Sequence, residues 1–119
     1  MKMITSFALV AVFGLLVSCG TISPHPMDMT QAVQSAKTRA DHEALAKHYE
    51  DAAKEMQVKV EEHKQLIARY EAVANIPVYR PYITSFRNPH QALARIYEQA
   101  VAENMSMAKT HRQMAAEAK

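Results

Sequence analysis

The chain of 119 residues contains one cysteine, Cys19, and two glycines, Gly14 and Gly20. A lone cysteine can form neither an internal disulfide nor a zinc site built from several thiolates. After residue 20 there is no glycine at all. Tight turns that need a positive φ, and glycine loops that cradle phosphate, are therefore excluded, because both depend on a missing Cβ. Neither sign of charge is in excess: 14 Lys and Arg stand against 12 Asp and Glu, a formal net charge of +2. That near-balance argues against a nucleic-acid surface. Catalytic signatures are missing too. His42-Glu43 is followed by Ala46 where a zinc-protease helix needs its second histidine, and no Glu-x-x-His occurs that would serve a di-iron bundle. Serines are few and no carboxylate pair stands apart from a solvated face, so the chain is not expected to be an enzyme.

What is present begins at the N-terminus. Met1-Lys2-Met3 gives a short positive start, and Ile4 to Val17 is an almost unbroken apolar run of 14 residues. Spanning a bilayer takes about 20 residues, so this is the anatomy of a signal peptide rather than a membrane helix. The run ends in Leu16-Val17-Ser18-Cys19, which resembles the lipobox of bacterial prolipoproteins in all four positions. The resemblance implies cleavage before Cys19 and a diacylglyceryl group on its sulfur, with an acyl chain on the new amino group. Two or three chains hold a protein where one holds it only marginally. Gly20 is not the aspartate that marks inner-membrane retention in the enterobacterial pattern, so the resemblance points to the periplasmic face of the outer membrane. On this reading residues 1–18 are the signal peptide, residues 19–28 the lipidated cysteine and its tether, and residues 29–119 one small domain. The C-terminal Lys119 is similar to the peptidoglycan-linked end of the major murein lipoprotein, but its flanking Ala-Glu-Ala does not match.

That domain reads as all-α. Prolines fall at 24, 26, 77, 81 and 89, leaving 27–76 and 90–119 free of them and rich in Ala, Glu, Gln, Lys, Arg and Met, the strong helix formers. Asp28 with Gln31, and Thr38 with Asp41, resemble capping boxes, so the first long helix starts near 29 or restarts near 39. It is expected to stop at Ala74 or Asn75. In Asn88-Pro89-His90-Gln91 the asparagine would cap, the proline take the first helical position and the glutamine reach back, starting a second helix that runs to Glu117. Between them Ile76 to Arg87 carries Tyr79, Tyr82, Ile83 and Phe86, an aromatic loop expected to pack over the helix ends. The fold expected is two long antiparallel helices, a helical hairpin able to dimerise into a four-helix bundle.

An internal repeat is the most informative feature. His42-x-x-Leu45-x-x-x-Tyr49-Glu50 recurs as His63, Leu66, Tyr70 and Glu71, as His90, Leu93, Tyr97 and Glu98, and in decayed form as His111 and Met114. Residues 42–67 and 90–115 agree at ten positions, so the helices read as duplicates of each other. In heptad terms His42, Tyr49, Met56, His63 and Tyr70 hold one seam position, and Leu45, Ala52, Lys59 and Leu66 the other. The second helix repeats this with His90, Tyr97, Asn104 and His111, then Leu93, Ala100, Met107 and Met114. The pattern resembles a loosely defined set of small helical secreted or lipid-anchored bacterial proteins built on Asp-His-Glu-Ala-Leu-Ala-x-x-Tyr segments, and that likeness implies the helices but no activity. In an antiparallel hairpin, one register sets side by side the residues whose numbers total 153. It makes His42 a neighbour of His111 and His63 a neighbour of His90, in layers about 31 Å apart. With a second helix starting at Pro89, the register requires the connection to run back about 15 Å past the end of the first, within its reach.

Two readings of these histidines stand. As packed residues, each would bond one nitrogen to a facing Tyr or Glu. As ligands, His42, His63, His90 and His111 would hold zinc or copper across the helices or a dimer, since no helix carries a His pair four residues apart. Met107 and Met114 lie on the face of His111, and thioethers with imidazole suit Cu(I); His25-Pro-Met27-Asp-Met29 has a similar composition. Methionine in an Ala-rich helix more often fills gaps in a core. The function expected is that of a membrane-anchored structural or interaction lipoprotein without a cofactor, its partners the membrane and a second copy or another helical protein. The alternative is a periplasmic copper- or zinc-binding protein.

Overall fold

The computed structural model describes residues 27–118; the apolar N-terminal run, Cys19 and the tether as far as Pro26, with His25, lie outside them. The described residues are helical, with no strand. A short helix, α1 (Met29–Ser35), precedes two long ones, α2 (Arg39–Ala72, 34 residues) and α3 (Ile83–Glu117, 35 residues). The last two pack against each other as a hairpin about 50 Å long.

Both anticipated starts occur. Asp28 accepts from the Gln31 amide at 3.1 Å and begins α1, none of whose residues is buried. Thr38 and Asp41 form the full reciprocal box at the head of α2, with Asp41 N to Thr38 Oγ1 at 3.2 Å and Thr38 N to Asp41 Oδ2 at 2.8 Å. The Lys37 amide also donates to Asp41, at 3.0 Å. These donors stabilise the charged carboxylate and lower the Asp41 pKa to about 2, the Lys37 amide contributing most.

The start of the second long helix differs from expectation. Asn88 does not cap it; α3 begins at Ile83, and Pro89 lies inside. The proline ring and its missing N–H cost about 3 kcal/mol in a helix interior, and the Nε of Arg87 is buried without a hydrogen-bond partner. Against these costs stand the burial of Ile83, 8% exposed, and the stacking of Phe86 on Tyr70 with ring centres 4.8 Å apart and planes 7° from parallel. Burying an Ile contributes about 1.5–3 kcal/mol and an aromatic pair about 0.5–1.5, and the helix also satisfies the backbone of the segment that must run back along α2. The connection shrinks to residues 73–82, a chain of i→i+3 turns leading into a 3-10 turn at Arg80–Tyr82. No described residue has a positive φ. Of the expected aromatic loop, Ile83 and Phe86 become part of α3, while Tyr79 and Tyr82 stay about half exposed.

The seam also shifts by one residue on its apolar side. The buried positions are Ala46, Ala53 and Val60 on α2 and Ala94, Ala108 and Ala115 on α3, not the expected row of Leu45, Ala52, Lys59 and Leu66 with its counterpart; of that row only Leu45 is buried. Small residues at every seventh place let the helix axes approach, and the histidines and tyrosines beside them fill the remaining space. The resulting core is thin. Leu45 and Val60 are the largest fully buried side chains.

Candidate functional site

Each end of the helix pair carries a histidine layer, in the register the repeat anticipates. His42 Nδ1 lies 3.2 Å from His111 Nδ1, and His63 Nδ1 lies 2.9 Å from His90 Nδ1. The expected Tyr or Glu partners are replaced by a second imidazole. One ring of each pair must therefore carry its proton on Nδ1 while the other offers a lone pair there, which forbids both being cationic. The tyrosines serve by stacking. Tyr49 lies on His111 with centres 5.6 Å apart and planes at 11°, and Tyr97 lies on His63 at 5.6 Å and 14°.

These contacts follow the duplication. Moving 48 residues along the chain converts His63–His90 into His111–His42 and Tyr97–His63 into Tyr49–His111. It also converts the Lys64–Glu98 ion pair, 2.9 Å, into Arg112–Glu50, whose shortest contact is also 2.9 Å. The symmetry fails at one place. Tyr70 stacks on the outer side of His90 at 5.6 Å, itself covered by Phe86, whereas the counterparts of Tyr70 and Phe86 beside His42 are Ala118 and Thr38. The His63–His90 layer is thus closed by a ladder of five rings, whereas among the described residues no aromatic ring stacks on the outer side of His42.

No protein-family model, curated protein or solved structure matches this chain.

The ion pairs were not foreseen. Arg112 bonds Glu50 through two nitrogens and also reaches Glu43, so it bridges two turns of α2. The signal that could have found them was the repeat itself, which sets Glu50, Lys64, Glu98 and Arg112 all at the heptad position after the His and Tyr seam, acidic after Tyr and basic after His. These pairs line one flank of the seam, next to a shallow groove between Ala53, Gln57, Val101 and Met105. The opposite flank is mostly apolar: Phe86, Leu93, Ile96, Met107 and Met114 are each at least 38% exposed there, with Ala52, Leu66 and Ala100 half-buried beside them and the Lys59–Glu62 ion pair interrupting it.

Each histidine layer supplies two imidazoles, and among the described residues no group of three or more His, Cys, Asp or Glu side chains comes together. His111 is held below the ordinary histidine range, first by burial and then by His42 beside it. A neutral ring is the form that can accept a hydrogen bond or bind a metal. Met107 and Met114 are too exposed to be filling a core gap. No described helix is long and apolar enough to cross a membrane.

Proposed function

We propose that the chain is a lipid-anchored helical module of the bacterial cell envelope, facing the periplasm from the outer membrane, that pairs with a second copy of itself to form a four-helix bundle. The reading assigns it a structural or interaction role, with no catalysis and no nucleic-acid partner. Its anchor is Cys19, on the strength of Leu16-Val17-Ser18-Cys19. The observation that carries the assembly is the apolar flank of Phe86, Leu93, Ile96, Met107 and Met114, set on a hairpin whose own core is mostly alanine. A two-helix pair buries too little to be stable alone, and helical stability in water comes mainly from covering an apolar face. The other flank carries the Lys64–Glu98 and Arg112–Glu50 ion pairs, which disfavours an apolar partner there. A second copy fits the apolar side because α2 and α3 are duplicates and present the same heptad positions there. Residues 20–119, studied by sedimentation equilibrium at micromolar concentration, should have the mass of a dimer. Leu93→Glu with Ile96→Glu should return them to monomer mass. A monomeric, fully helical wild type would overturn the bundle.

A further inference from the structure

We propose that the His42–His111 layer is a soft-metal site, in which His42, His111, Met107 and Met114 bind one Cu(I). The two Nδ1 atoms are 3.2 Å apart. Two imidazole nitrogens about 2.0 Å from a shared tetrahedral metal stand about 3.3 Å apart, so a cation can replace the shared proton without separating the rings, each tilting by about 35° to aim its lone pair off the N···N line. The ring that donates through Nδ1 takes its other tautomer, with the proton on Nε2, and no net proton is gained or lost. Two imidazoles alone leave the coordination incomplete. Met107 lies four residues before His111 and Met114 three after it, positions whose Cβ atoms are about 5–6 Å from that of His111 on a helix face. A thioether reaches across that gap, and thioether with imidazole is a donor set that selects Cu(I) over harder cations.

The duplication supplies an internal control. At the His63–His90 layer the residues equivalent to Met107 and Met114 are Lys59 and Leu66. That layer has the same imidazole pair, and its Nδ1 atoms are 2.9 Å apart. It carries no thioether, and Tyr70 and Phe86 close it from outside. A purely structural role for paired histidines accounts for both layers equally, but it leaves two exposed methionines beside only one of them. The missing aromatic cover and the nearby methionines coincide at the His42–His111 end.

The site lies at one end of the apolar flank yet does not require the bundle, and one experiment keeps the two apart. The full chain in detergent micelles, kept reduced, is titrated with Cu(I) against bicinchoninate, and its sedimentation mass is recorded with and without copper. Wild type should hold one Cu(I) per chain, with a mixed nitrogen and sulfur shell in X-ray absorption. His111→Gln, and Met107→Leu combined with Met114→Leu, should each weaken binding at least tenfold, while His63→Gln leaves it unchanged. The double methionine variant changes exposed positions and should keep its helical circular dichroism, so it remains a valid test even if a histidine variant unfolds. Copper held as tightly without the two methionines, lost equally in His63→Gln, abolished by His25→Gln with Met27→Leu, or not held at all would overturn the proposal. A copper-binding monomer would overturn the bundle and leave the site intact.

Discussion

Two imidazoles joined through their Nδ1 atoms tolerate at most one extra proton, so at residue scale the hairpin should respond to acid. His111 shows the direction, because burial and the neighbouring His42 hold its folded pKa below 6.5. Its cation is favoured in the unfolded chain, which therefore takes up a proton first as the pH falls. The stability it contributes is complete above about pH 6.5 and is lost as the pH drops through the folded value. Against the ring stand His42, which acts in the same direction as burial, and the stacked Tyr49. Asp41, lowered to about 2, keeps its charge throughout this range and cannot be the cause of an effect there. The urea midpoint should fall between about pH 7.5 and pH 5.5, and His111→Gln should flatten the dependence. A midpoint that rises on acidification would refute the assignment.

On the scale of the helices, local chemistry predicted some boundaries and misled at another. Asp28 and Thr38 start helices because their side chains satisfy amides that the first turn leaves free, an arrangement complete within four residues. Asn88-Pro89 carries the same kind of signal but is overruled, since Ile83 and Phe86 gain more from lying on α2 than the proline loses inside α3. Pro89→Ala should therefore stabilise the hairpin by about 2 kcal/mol, the interior proline penalty less the added freedom of the unfolded chain. Thermal unfolding followed by circular dichroism measures it. Had Pro89 been the first helical residue, the change would be neutral or destabilising, and that result would contradict the early start of α3.

For the whole molecule the question is what holds the hairpin in place. Replacing Cys19 by Ser should abolish incorporation of labelled fatty acid and leave the chain uncut or free in the periplasm, with its helices unchanged. Continued labelling of that variant would remove the anchor from the proposed function. The anchor and the hairpin are separable because Cys19 precedes the first helical cap by a short proline-containing segment. Attachment through Cys19, as proposed, would concentrate copies on one surface and so add to the pairing of their apolar flanks.

The helices, their duplication and the pairing of His42 with His111 and His63 with His90 were legible in the sequence, because heptad spacing and an offset of 48 residues are properties of residue order alone. Cys19 as the proposed lipid attachment point rests on the residue order Leu16-Val17-Ser18-Cys19 alone. The sequence could not show that the shared proton lies between two histidines rather than between histidine and tyrosine. Nor could it show that the small seam is Ala46, Ala53 and Val60, or that Tyr70 and Phe86 close one layer and leave the other without that cover. Those outcomes depend on how far two helices rotate about their axes when they meet. The rotation is set by packing alanines at close approach, an energy that exists only once both surfaces are in contact.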